Sequence, residues 1–518
     1  MLNSNNMKRI IIFLLFASVL SGCSKSFLDK SSLTQLSDQS FWKTEQDATL
    51  GINGVYDALQ DRVMYSGSLN ENAGLPTYDN FGDNSYNSYK FEGPGNFMIA
   101  TANATTGMFS GLWASSYKGI GRANSAIENI TAMPSTTLSD AKKKVLLAQA
   151  YFLRALFYSN LAVYFGDVPV IVKTQSLDEA YVPKNTFKEV YTQIISDLKT
   201  AADGLPTAYA AEQYGYATKG AALGLLARMY LYNKDYQNAL DATTALMTLG
   251  YSLNKSYAQL FTEAGEKSTE IVFSVRFTTG VSQNGENFSA TFLPLPKVDV
   301  QPMPNLVKDY YCTDGLSITK SPLYAASNEK ANRDPRLTAS VYFNKDTFLV
   351  DTKTIFIGNT ATGYGLRKYL RTGASSTGIS VFSSGGQDFI VLRYADVLLM
   401  RAEALVELNQ PAEVYSLVNQ VRARVGMPTV EKVEGPSLSQ SQLRTIVQHE
   451  RRIELAFEGL RFFDLKRLGQ VQQSYTTAIN DKIAGYTPVY IGPKSEIFPI
   501  PQSELDANSK LVQNPVWQ

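Results

Sequence analysis

The chain has 518 residues, long enough for two or three domains or an elongated repeat array, and its 48 Lys+Arg against 47 Asp+Glu leave a net charge of +1. With no basic block, nucleic acid is not an expected partner, and a single histidine excludes a multi-histidine metal centre. Aromatic residues make up 11% of the chain, 30 of them Tyr, against 18% charged residues. Rings with an apolar face and a polar tip suit amphipathic ligands such as sugars or peptides, although most serve the core.

The first 22 residues read as a secretory signal. Lys8 and Arg9 precede an apolar run over residues 10–20, too short to cross a bilayer, which closes on Leu20-Ser21-Gly22-Cys23. That ending resembles a lipobox, where lipoprotein signal peptidase cleaves before a cysteine carrying diacylglycerol. Cys23 is therefore the expected lipid attachment, with more than one acyl chain needed for stable anchoring. Lipidation there leaves Cys312 without a disulfide partner, so the fold must rest on its core. Residues 23–40, polar and Ser-rich, read as the tether.

A helix is expected to begin near Thr44 or Glu45, with Ala48, Ile52, Val55, Tyr56 and Leu59 on one face. Residues 65–106 lose that periodicity in Gly, Asn, Ser, Pro and Tyr, as in Tyr78-Asp79-Asn80-Phe81-Gly82-Asp83-Asn84-Ser85-Tyr86, and read as a long functional loop. Helical spacing returns over residues 113–130 and 141–165, where Gly166-Asp167-Val168-Pro169 stops it, and again over 186–203. In residues 218–249, Leu226-Ala227, Tyr230, Tyr236 and Ala239 fall at the offsets of a tetratricopeptide hairpin.

Residues 251–388 carry short β-like runs at 270–277, 340–343 and 354–357 among Gly, Pro, Asn and Ser, as expected of an irregular insertion. A second hairpin follows Arg393-Tyr394-Ala395-Asp396, with helices at 398–408 and 412–425 on either side of Gln410-Pro411. The expected architecture is mainly α: a tetratricopeptide-like scaffold over residues 41–250 and 389–518, with the loop-rich insertion between them.

The charged stretch Glu450-Arg451-Arg452-Ile453-Glu454 to Asp464-Leu465-Lys466-Arg467 suggests paired carboxylates, but the spacing argues for salt bridges. Arg451 with Glu454, Glu458 with Arg461, and Asp464 with Arg467 are each three apart, so local pairing on one helix is expected. A nearby cation lowers a carboxyl pKa, the opposite of what a general acid needs. His449 beside it reads as inert, and Ser383-Ser384-Gly385-Gly386 lacks the lysine of a phosphate-binding loop.

Four stretches resemble the SusD/RagB family of outer-membrane lipoproteins. They are Phe152-Leu153-Arg154-Ala155-Leu156 through Gly166-Asp167-Val168-Pro169, residues 221–232, Leu392-Arg393-Tyr394-Ala395-Asp396 through Arg401-Ala402-Glu403-Ala404, and Glu450-Arg451-Arg452 through Leu465. Asn332-Arg333-Asp334-Pro335-Arg336 and Phe498-Pro499-Ile500-Pro501 extend the likeness. The resemblance implies a non-catalytic cell-surface lipoprotein in the outer membrane, without cofactor, that captures glycan and passes it to a SusC-like TonB-dependent transporter.

The family's ligand surface comes from loops, which directs attention to residues 65–97 and 278–295. There Tyr78, Asn80, Tyr86, Tyr89 and Lys90 combine rings for stacking with groups that hydrogen-bond sugar hydroxyls, and they are the expected ligand contacts. A peptide ligand, as in the RagB branch, is the alternative. An exported glycoside hydrolase would need two carboxylates flanking a cleft, for which Asp79 and Asp83 are the candidates.

Overall fold

A computed structural model describes residues 41–67, 74–279, 284–294, 299–349, 353–371 and 384–518. The expected signal peptide, Cys23 and the expected tether lie outside the described residues. Helix α1 (Glu45–Asp57) starts where expected, through a capping box in which Thr44 and Asp47 exchange hydrogen bonds. Helices α2 (Gly107–Ala132), α3 (Asp140–Phe165), α4 (Phe187–Gly204), α5 (Lys219–Tyr232) and α6 (Tyr236–Met247) follow, each packed on the next. Gly166, at φ 74°, ends α3, and Thr186 caps α4 in a second capping box. Residues 220–231 of α5 are buried all round, the pattern of a central core helix.

Strand β1 (Ile271–Val275) pairs antiparallel with β2 (Phe389–Arg393), setting Ile271 opposite Arg393 and Val275 opposite Phe389. The insertion is thus an excursion closed by its own two ends. Inside it, Val341–Tyr342 pairs with Gly365–Leu366 and Thr354–Ile355 with Thr347–Leu349. β2 runs straight into α7 (Tyr394–Glu407), which packs on α6, on α8 (Val414–Arg424) and on α9 (Gln440–Glu454). Then come α10 (Arg461–Leu468) and α11 (Val471–Asn480). The buried apolar residues form one cluster from Ala48 to Leu511.

The charged stretch departs from its expected form. It is two helices, because Phe457 (φ 65°) and Gly459 (φ 73°) turn the backbone left-handed between α9 and α10. Of the three expected local pairs, Asp464 with Arg467 forms at 2.8 Å. The others reach across the molecule, since the break takes Glu458 and Arg461 off a common helix face and burial aims these side chains at other elements. Arg393 meets Glu270 at 2.9 Å, Glu454 at 2.5 Å and Glu458 at 2.7 Å. Arg424 joins Glu270 and Glu454, Arg336 joins Asp334, Glu450 and Glu454, Arg422 joins Glu450, and Lys368 joins Glu458. This cluster balances five cations with five carboxylates. A second sets Arg228, Arg451 and Arg467 against Asp396, Glu403 and Asp464. Burial alone would raise the Glu454 carboxyl, but Arg424, Arg393 and Arg336 hold it well below the usual range.

Candidate ligand-binding site

The structure separates the five expected ligand contacts. Tyr78 is fully buried in the short helix Leu75–Phe81, with ring centroids 4.8 Å from Phe81 and 4.9 Å from Tyr164. Asn80 is buried and donates from Nδ2 to the Asp299 carbonyl at 2.9 Å. Tyr86, 4% exposed, packs 4.5 Å from the Tyr486 ring. These three have no face to offer a ligand. The loop that looked open folds inward because its aromatics complete a cluster with Phe97, Phe109, Phe462 and Phe498. Tyr89 is half-buried and Lys90 exposed; with Phe91, 67% exposed and 5.6 Å from Tyr89, they form a surface ridge.

The carboxylates considered for hydrolysis are also inside. Asp79 accepts from the Phe457 amide at 2.6 Å and the Arg461 amide at 3.3 Å, so it caps the start of α10. Asp83 pairs with Arg461 at 2.7 Å and Arg452 at 3.3 Å. Neither lines the cavities below. His449 is largely buried: its ring stacks on Tyr311 at 4.2 Å, and Nε2 lies 2.9 Å from the Asp309 carbonyl.

Two adjacent cavities open around the connection between α4 and α5. The first, about 480 Å³, lies between α1 and the end of β1, with Asn53, Asp57, Gln60, Arg276 and Asn284 in its wall. The second, about 410 Å³, is lined by Tyr209, Tyr251, Lys267 and Thr269 among others. They share Gln213, Tyr214, Gly215, Tyr216 and Ser274. Three half-exposed tyrosines, Tyr209, Tyr214 and Tyr216, stand on this connection. Tyr216 lies 5.4 Å from the Tyr56 ring and 5.7 Å from Tyr209, and its hydroxyl donates to Asn53 Oδ1 at 2.8 Å.

The shared wall is pinned from several sides. The Arg276 guanidinium sits 4.6 Å over the Tyr214 ring and donates to the Tyr214 carbonyl at 2.8 Å. Gly215, at φ 104°, leaves the space Arg276 needs, since a Cβ there would fall 2.1 Å from Arg276 Cδ. The Tyr214 hydroxyl donates to the Glu266 carbonyl and lies 3.2 Å from Asp388 Oδ2. Asp388 also accepts from Ser274 Oγ and the Phe277 amide, both at 3.1 Å, and its amide donates to the Glu266 carboxylate at 2.9 Å.

Burial, reinforced by the neighbouring Asp388, raises the Glu266 carboxyl above its usual range, and burial raises Asp388 as well. The folded protein therefore holds a proton at this pair more tightly than the unfolded chain. That stabilisation is complete below the ordinary carboxylate pKa and is lost as pH rises above it. Glu450 and Glu454 are held low by their arginines against the effect of burial, so their contribution is present above that range and lost as pH falls. Melting curves from about pH 2 to pH 9 should show a maximum between these limbs. Asp388→Asn should flatten the alkaline limb and leave the acid limb; an unchanged alkaline slope would count against the shared proton.

Sequence reasoning missed Tyr209, Tyr214 and Tyr216. The signal was present: three tyrosines within residues 206–218, where no other large apolar residue stands.

Together, helical hairpins, a loop-rich excursion and open tyrosine-walled cavities define a tetratricopeptide-like scaffold protein. The SusD family model matches residues 269–517, and a second, described as starch-binding associating with outer membrane, matches residues 26–231. The chain belongs to the SusD/RagB family. SusD-like protein P38 of Formosa agariphila is 28% identical over 98% of each chain. A SusD-like carbohydrate-binding protein of Bacteroides fragilis superposes with a TM-score of 0.77 at 27% identity, over 91% of this chain and 100% of that one. A laminarin-binding SusD-like protein does so with a TM-score of 0.73 at 26% identity, over 91% and 99%. No helix among the described residues is long and apolar enough to cross a membrane.

Proposed function

We propose that this protein is a non-catalytic outer-membrane lipoprotein that binds glycan at the tyrosine-walled cavities and passes it to a SusC-like TonB-dependent transporter. The observation that carries the reading is the concentration of Tyr56, Tyr209, Tyr214 and Tyr216 beside Asn53, Gln60, Gln213 and Asn284 around open space. Sugar rings stack their C–H faces on aromatics, and amides satisfy their hydroxyls. The carbohydrate-binding relatives support the same ligand class. Tyr89, Lys90 and Phe91 provide a second aromatic surface for the same polymer.

Affinity electrophoresis in gels containing candidate glycans tests this. Retardation by at least one glycan is expected, and Tyr216→Ala should weaken it by about tenfold, the scale of one lost aromatic contact. Capture of oligopeptides with no retardation by any glycan would replace the reading with peptide uptake. Release of products from a glycan by the purified protein would replace it with hydrolysis.

The lipid anchor at Cys23 belongs to this proposal and tethers the domain beside its transporter through residues 23–40. Cys23→Ala should move the protein from the membrane fraction to the soluble fraction with glycan binding intact; a variant that stays with the membrane would relocate the anchor.

A further inference from the structure

The two cavities meet at a wall that is fixed in place, not at a loop free to fold over a ligand. Besides the Tyr214 and Arg276 contacts, the Ala217 amide donates to the Tyr56 hydroxyl at 2.8 Å, and Gln60 Nε2 donates to the Arg276 carbonyl at 2.6 Å. On the far side, the Thr218 and Tyr251 hydroxyls lie 2.9 Å apart. A ridge held this way is preorganised, so little ordering cost attends a ligand that lies across it.

Among the described residues, the charged groups in the two walls are Asp57 and Glu212 against Arg276 and Lys267, two of each sign. Arg276 is already committed to the Tyr214 ring and carbonyl, and Asp57 is paired with Arg122 at 2.7 Å. A sulfated or uronic sugar entering the first cavity would meet the Glu212 carboxylate, an Asp57 already holding Arg122, and an arginine whose planar face is occupied. Like charges brought together at a binding surface cost affinity, whereas an uncharged sugar meets rings and amides.

We infer that the two cavities form a single site for an uncharged glycan chain, with sugar residues seated on both sides of the Gln213–Tyr216 ridge. The inference rests on the glycan reading above and adds the charge class of the ligand and the length of chain engaged. A disaccharide seats in the first cavity, beside Asn53, Gln60 and Asn284; longer chains cross the ridge and gain the contacts of the second.

Ala208, exposed and in the wall of the second cavity, offers a test that spares the core. Ala208→Trp fills that cavity, with an unchanged melting temperature as the folding control. Isothermal titration with laminari- and malto-oligosaccharides from disaccharide to hexasaccharide should show wild-type affinity rising with length in the series that binds. Ala208→Trp should lower hexasaccharide affinity by about tenfold and leave the disaccharide unchanged. In gels, dextran, laminarin or amylopectin should retard the wild type more than dextran sulfate or alginate at every salt concentration.

Equal affinity of Ala208→Trp and wild type for every length would overturn the two-sided site while leaving glycan binding standing. Stronger, salt-sensitive retardation by the anionic polymers would overturn the charge class. No retardation or heat with any glycan would overturn the underlying reading, and this inference with it.

Discussion

Arg393→Met is expected to destabilise the protein by on the order of 3–5 kcal/mol, the usual cost of leaving buried charges without their partner. Arg393 is 1% exposed and meets three carboxylates, Glu270, Glu454 and Glu458, while also donating to the Glu454 carbonyl at 2.8 Å. Methionine matches much of its length and supplies no charge. Glu270 and Glu454 retain Arg424, and Glu458 retains Lys368, so the loss is not that of three isolated carboxylates. Arg401→Ala is the contrast. Arg401 is 11% exposed but its partner Glu413 is 56% exposed, and an ion pair with one member in water contributes about 0–1 kcal/mol. Urea unfolding of both variants checks the ranking; equal midpoints would mean that the buried cluster contributes no more than a surface pair.

The second large effect concerns Tyr78. Tyr78→Ala should cost about 3–5 kcal/mol, as deletion of a large ring from a packed core does. Its hydroxyl is buried without a hydrogen-bond partner among the described residues, and burial pushes its pKa far above the ordinary tyrosine value. Tyr78→Phe removes that hydroxyl while keeping the ring, so stability should hold or rise. Glycan affinity should be unaffected by Tyr78→Phe. A Phe variant that melts like wild type but loses binding would return Tyr78 to the ligand surface.

The helices were legible because their signals are local. Thr44 and Thr186 each place an acidic residue three positions on, and Gly166 stands where the periodic run over residues 141–165 stops. The β1 run was legible from composition, but its partner was not, since β2 lies more than a hundred positions away. The ion pairs failed for a related reason: three-residue spacing predicts contact only on an unbroken helix, and nothing marks Phe457 in advance as a residue with positive φ.

The candidate site was least legible. Tyr78, Asn80 and Tyr86 sit in a segment with no helical or strand period, so its sequence assigns no inward face. What buries Tyr78 is the arrival of Tyr164 and Phe498. Tyr209 and Tyr216 remain open because the helices flanking their connection already find their partners in each other.

The aromatic cluster around Phe498 has a consequence for the order in which the chain can become structured. Phe498 touches Tyr78, Phe81, Phe97, Phe109, Tyr164 and Phe462, rings that otherwise belong mostly to the first third of the sequence. A chain that emerges from its N-terminus leaves residues 75–98 without this central partner until nearly all of it has been delivered. The first loop is therefore among the last parts to be fixed during synthesis. Proteolytic loss of residues 498–518, which removes Phe498, would be felt first at the opposite end of the sequence.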